Sequence, residues 1–160
     1  MFKRILLPLD GSPLAEQALP VAVAQAEQFQ AELVLLKVLE PVTEVYGMLG
    51  SPIRKAEKLT VSMVTGYLES VAARIRKHQM PVRVATAVGY PPPQICDFAE
   101  ANQIDLIVMC TRGRSGLTRW LVGSVADCVS RGTSIPVLLV PAAEKTGARS
   151  CVKMGNMSRV

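Results

Sequence analysis

The chain has 160 residues, enough for one domain, and although 49% of them are hydrophobic only 4% are aromatic, so the core it can bury is aliphatic. No apolar stretch approaches the roughly 20 residues that cross a bilayer, and the apolar run after Met1-Phe2-Lys3-Arg4 meets Pro8 and Asp10 too early for a signal peptide, which predicts a cytoplasmic protein. The net charge is +5, but the segment from Ala142 to Val160 supplies +3 of it, and no aromatics interleave with the remaining arginines, which argues against nucleic acid as a main partner. The four cysteines show no Cys-x-x-Cys spacing and His78 is the only histidine, so neither zinc nor a disulfide framework is expected.

The first strand is expected between Phe2 and Leu9, where Ile5-Leu6-Leu7 is uniformly apolar as in a strand buried on both faces. Ser12-Pro13 then reads as a helix cap and first-turn proline, with Glu16 near the positive end of the helix dipole. Leu14, Ala18, Leu19, Ala22 and Ala26 form one face of that helix, and Pro20 is expected to bend it. Glu32 to Leu39 is the second strand. An irregular connection from Glu40 to Gly50, free to act as a lid, leads to a long helix in which Ile53, Ala56, Leu59, Met63, Tyr67, Val71 and Ile75 mark the buried face. His78 is expected at its solvated end.

Val82 to Val88 reads as a strand toward a sheet edge, and Gly89-Tyr90-Pro91-Pro92-Pro93 separates it from a short helix, Gln94 to Ala101, closed by Asn102 in a left-handed conformation. The apolar run Leu106 to Met109 is a further buried strand. The glycine-bearing basic loop after it opens a helix at Ser124 that ends near Arg131-Gly132. Ile135 to Val140 is the last strand, and Pro136, which has no N–H to give, assigns it to a sheet edge. Five strands alternating with four helices predict a doubly wound, five-stranded parallel sheet with helices on both faces, as a single domain.

The candidate site lies at the carboxyl ends of the first and fourth strands. Helix amides at Ser124 and Val125 have no partner inside the helix, Gly123 leaves them uncovered, and Arg112 and Arg114 add positive charge around Gly113, a pattern suited to phosphate. Solvated arginines on a plain turn would give the same residue types, and Asp10 alone reads equally as an Asx-turn or cap. Neither Gly-x-x-x-x-Gly-Lys-Ser/Thr nor Gly-x-Gly-x-x-Gly occurs, so the loop is not of the Walker or dinucleotide-binding type.

From position 110 the segment resembles the nucleotide loop of ATP-binding members of the universal stress protein family, which carry Gly, two residues, Gly, nine residues, Gly, then Ser or Thr. Gly113, the nine residues Arg114 to Val122, Gly123 and Ser124 fit, while Cys110 stands where the first glycine would be. Ile5-Leu6-Leu7-Pro8-Leu9-Asp10-Gly11-Ser12 and Leu35-Leu36-Lys37-Val38 resemble the family's first two strands, so the likeness extends to Pro141. The resemblance implies an adenine nucleotide alpha hydrolase-like fold binding ATP. Asp10 and the Val38 backbone would meet the adenine, Pro8 and Leu9 the base and ribose, and Met109 and Cys110 the ribose. Gly113, Arg114, Gly123, Ser124 and Val125 would surround the phosphates, with magnesium on the phosphate oxygens. It also implies a homodimer through Val137 to Val140, and a regulatory role in the stress response with at most slow hydrolysis. The alternative is a dimeric stress-response interaction module that binds no nucleotide, with Cys110 as its reason; a thiol sensor built on Cys110 beside Arg112 is a third reading. The domain is expected to span residues 1–141, followed by a flexible basic tail from 142 to 160.

Overall fold

The computed structural model describes residues 1–40, 53–77, 80–111 and 123–142. Five strands, β1 (Arg4–Pro8), β2 (Glu32–Leu39), β3 (Val82–Val88), β4 (Leu106–Cys110) and β5 (Val137–Val140), form one sheet in the order β3-β2-β1-β4-β5. Every pairing is parallel. The helices are α1 (Leu19–Phe29), α2 (Ile53–Ile75), α3 (Pro91–Ala101) and α4 (Ser124–Gly132), with a single 3-10 turn at Ala15–Ala18 before α1.

Alternation along the strands sorts the core into two layers. Ile5, Leu7, Leu33, Leu35, Leu106 and Val108 pack with Ala22, Val23 and Ala26 of α1 and with Leu68, Val71, Ala72 and Ile75 of α2. Their neighbours Leu6, Val34, Leu36, Ile107 and Met109 pack with Ile95, Cys96 and Ala99 of α3 and with Ala126 and Val129 of α4. A strand clothed on both faces must be apolar at every position, which is why these strands read as continuous aliphatic runs. The chain winds from β1 outward to β3 with α1 and α2 on one face, then returns to β4 and β5 with α3 and α4 on the other. Right-handed crossovers require that change of face when the direction of winding reverses. β1 and β4 therefore flank the reversal, as the sequence predicts.

Several local expectations are corrected. Pro20 does not bend a helix, because the chain first makes the 3-10 turn and α1 begins only at Leu19, which places the proline in the first turn where no N–H is needed. Pro91, Pro92 and Pro93 are likewise inside α3 rather than before it, at positions whose amides would have no helical acceptor. Asn102 is not left-handed (φ −102°); its side-chain amide donates to the Phe98 carbonyl at 2.9 Å, and Gln103 (φ 54°) makes the turn instead. On α2, Met63 is 72% exposed while Val64 and Leu68 are buried. A four-residue spacing overshoots a full turn by about 40° per step, so four-residue steps back from Ile75 have left the core by Met63; the side chains of Ile53, Ala56 and Leu59 lie outside those described. The expected lid from Glu40 to Gly50 lies, beyond Glu40, outside the described residues, as do His78 and the tail from 143 onward.

Candidate nucleotide site

A cavity of about 560 Å³ opens where β1 and β4 part, a size common for small-molecule sites. Its wall includes Pro8, Leu9, Asp10, Val38, Met109, Cys110, Gly123, Ser124 and Val125, nine of the residues singled out in the sequence. Arg112, Gly113 and Arg114 lie outside the described residues. Ala15, Leu36, Lys37, Leu39, Glu40, Pro91, Ile95 and Ala126 also border the cavity and were not anticipated. Ala126 was within reach of the sequence, since a helix opening at Ser124 leaves its third amide as free as its first two. Pro91 and Ile95 arrive from α3 on the facing layer, and only the sheet order brings them there.

One wall is built from main chain. The Leu9 N–H donates to the Leu36 carbonyl at 2.8 Å, so Leu36 turns its polar groups toward β1. Leu39, three residues on, accepts from the Gly89 N–H at 2.9 Å on the β3 side. By the two-residue period of a strand, Val38 presents its N–H and C=O toward β1, but β1 has ended at Pro8, and Leu36 is the last β2 residue paired with it. Val38 thus offers one donor and one acceptor to the crevice.

Asp10 stands beside them at the end of β1. Its Oδ1 accepts the Ser12 N–H at 2.8 Å, the Asx-turn that the sequence allows, and Ser12 Oγ accepts the Ala15 N–H at 3.1 Å to start the 3-10 turn. Gly11 in between has φ +83°, a conformation that side chains disfavour. The turn does not exclude a ligand role: among the described residues Oδ2 carries no hydrogen bond, and Asp10 borders the cavity.

The opposite wall is the start of α4. Asp127 N–H makes the first helical bond, to the Gly123 carbonyl at 2.9 Å, so the amides of Ser124, Val125 and Ala126 have no acceptor within the helix, and all three residues border the cavity. The Gly123 N–H donates to the Thr111 carbonyl, which pins the end of β4 to the start of α4. A main-chain donor and acceptor at one end and the uncovered amides of a helix start at the other share one space.

Among the described residues no group of three or more His, Cys, Asp or Glu could hold a metal ion, and no helix is long and apolar enough to cross a membrane. A magnesium ion here would be held through ligand oxygens and water.

Comparison with known proteins gives the family and the fold. A model of the universal stress protein family matches residues 1–141. The universal stress protein MJ0531 of Methanocaldococcus jannaschii is 32% identical over 149 residues, covering 91% of this chain and 85% of its own. Among solved structures, that of MJ0577 from the same organism superposes with a TM-score of 0.68 at 25% identity, over 91% of this chain and 99% of its own. A universal stress protein in complex with cAMP gives 0.67 at 20% identity over 89% of this chain and 98% of its own. One from Archaeoglobus fulgidus in complex with dAMP gives 0.59 at 20% identity over 87% and 97%. With an all-parallel five-stranded sheet and a family match over nearly its whole described length, the chain belongs to the universal stress protein family.

Proposed function

We propose that this universal stress protein binds ATP in the crevice between β1 and β4 and acts as a regulatory nucleotide-binding dimer in the stress response, in the cytoplasm. The observation that carries the reading is the meeting in one cavity of the Asp10 carboxylate, the Val38 main chain and the uncovered start of α4. Adenine offers an amino donor beside an acceptor nitrogen, which suits the C=O and N–H of Val38 and the carboxylate of Asp10. Pro8, Leu9, Met109 and Cys110 supply the apolar contact for base and ribose. Gly123, Ser124 and Val125 take the phosphates, joined by Arg112, Gly113 and Arg114 of the intervening loop, with magnesium bridging phosphate oxygens. The complexes of related proteins with cAMP and dAMP favour an adenine nucleotide.

Hydrolysis, which needs a group that orients water in line with the γ-phosphate, is at most slow, because the glycine- and arginine-bearing loop sequence after β4 offers no base for it. The folded unit spans residues 1–141 and pairs with a second copy through β5, which has β4 on one side and an aliphatic edge on the other. Calorimetric titration of the purified protein with ATP and magnesium tests the reading. Binding that weakens about tenfold or more in Asp10→Ala supports it, as loss of a hydrogen bond to a charged group predicts. A protein that takes up no ATP is the dimeric interaction module instead.

A further inference from the structure

Lys37 borders the cavity, yet its side chain leaves the sheet on the other face, two residues beyond Leu35 in the layer of α1 and α2. There its Nζ donates to the main-chain carbonyl of Asp10 at 3.2 Å and sits 5.2 Å from the ring centroid of Tyr67 on α2. It also comes within 2.8 Å of the place where a side chain on Gly11 would begin. Tyr67 is itself fixed: its hydroxyl donates to Glu16 Oε1 at 2.9 Å, and Arg74 donates to Glu16 Oε2 at 2.6 Å. Immobilising a lysine stem costs side-chain entropy, and here the ammonium is spent on a backbone carbonyl rather than on a carboxylate.

That carbonyl belongs to the residue whose carboxylate faces the ligand. With its C=O tied to Lys37 and its Oδ1 tied to the Ser12 N–H, Asp10 has both ends fixed. We infer that Lys37 is a positioning residue for base selection: from behind the sheet it sets the Asp10 turn so that the carboxylate and the Val38 main chain form one edge that fits adenine. Guanine presents a carbonyl and an N–H where adenine presents an amino group and an acceptor nitrogen, so a fixed edge discriminates and a loose one does not. This rests on the ATP reading.

The test compares wild type with Lys37→Met and Lys37→Arg by two measurements. The first is the affinity ratio for magnesium-ATP over magnesium-GTP. Lys37→Met lowers that ratio about tenfold, the scale of one charge-assisted hydrogen bond, and Lys37→Arg, which keeps a donor over the Tyr67 face, restores most of it. A ratio unchanged in Lys37→Met, with ATP still bound, overturns the inference and leaves the ATP reading intact. The second is amide hydrogen exchange at Ser12 without nucleotide, which speeds up about tenfold in Lys37→Met if Lys37 holds the turn. Unchanged exchange overturns the positioning role even in a variant that folds poorly elsewhere. Wild type that binds neither nucleotide overturns the ATP reading itself, and base selection with it.

Discussion

Leu9 donates its N–H to the carbonyl of Leu36, and this bond, at 2.8 Å, is the last rung of the ladder between β1 and β2. Past it β2 continues for three residues alone on that side. The unmatched stretch exists because β1 stops at Pro8 and turns away through Asp10, so an ordinary strand end leaves the Val38 main chain available to a ligand. The cavity is a consequence of unequal strand lengths at the point where the winding reverses.

Gly123→Val separates binding from folding. Gly123 lies at φ −56°, ψ 145°, an extended conformation that valine adopts readily, and its N–H bond to Thr111 is unaffected by a side chain. Thermal unfolding is therefore expected within about 1 kcal/mol of wild type, in the range of changes away from the core. ATP affinity should drop by a factor of about ten or more, measured by titration, because the branched side chain covers the start of α4.

Asp105 supports the opposite end of the sheet, where its Oδ2 accepts the Lys3 N–H at 2.7 Å and the Arg4 N–H at 2.9 Å. Burial pushes the carboxyl up, but those two amides and the nearby positive charges outweigh it and hold the group below its ordinary 3.8. A depressed folded-state value adds stability above the unfolded value and loses it as pH falls through the folded one. Asp105→Asn should cost about 1 kcal/mol at pH 7 in denaturant titration, and the gap from wild type should close as the pH is lowered past that carboxyl's titration.

Tyr67 behaves in the reverse sense. Burial first, then the hydrogen bond to Glu16 and the charges of Glu16 and Asp10, raise its hydroxyl well above the ordinary 10.0. Its contribution is complete below that value and is lost as the pH rises toward the folded-state titration. Tyr67→Phe should lower stability by about 1 kcal/mol at pH 7 through the bond to Glu16, and should show a shallower alkaline decline above pH 10 than wild type.

The β5 edge offers a test of assembly. Thr111 donates to the Val140 carbonyl and Ile107 to that of Pro136, both at 2.9 Å, so even-numbered residues of β5 face β4 and Leu139 directs its N–H outward. Leu139→Pro deletes that outward donor and spares the ladder to β4. The partly buried Leu139 side chain is lost as well, so stability falls. The expected outcome by light scattering under native conditions is a monomer with unchanged far-UV circular dichroism; a dimer that persists would assign assembly to another surface.

The strands were legible because apolar runs such as Leu33–Leu36 mark parallel strands covered on both faces, while Arg83 and Thr86 between apolar residues mark Val82–Val88 as a strand toward the sheet edge; Glu32–Leu39 and Val82–Val88 carry the predicted limits. Helix starts were harder, since Pro20 and the run Pro91 to Pro93 read as interruptions and are instead first-turn residues, a distinction that depends on where the preceding turn ends. At the cavity, Asp10 and Gly123 to Val125 were visible as turn and cap chemistry. Lys37 was not, because the partners that give it meaning, Asp10 and Tyr67, are 27 and 30 positions away and meet it only when α2 lies across β2. The direction of the Val38 main chain needs the register of three strands at once.

The proposed ligand spans the crevice from the Val38 main chain to the start of α4. Amide chemical shifts of isotope-labelled protein, followed as magnesium-ATP is added, test it most directly. Saturable shifts are expected at Val38, Gly11, Ser124, Val125 and Ala126 at a common nucleotide concentration, with the β5 amides unmoved. Shifts at α4 alone, with Val38 silent, would contradict it.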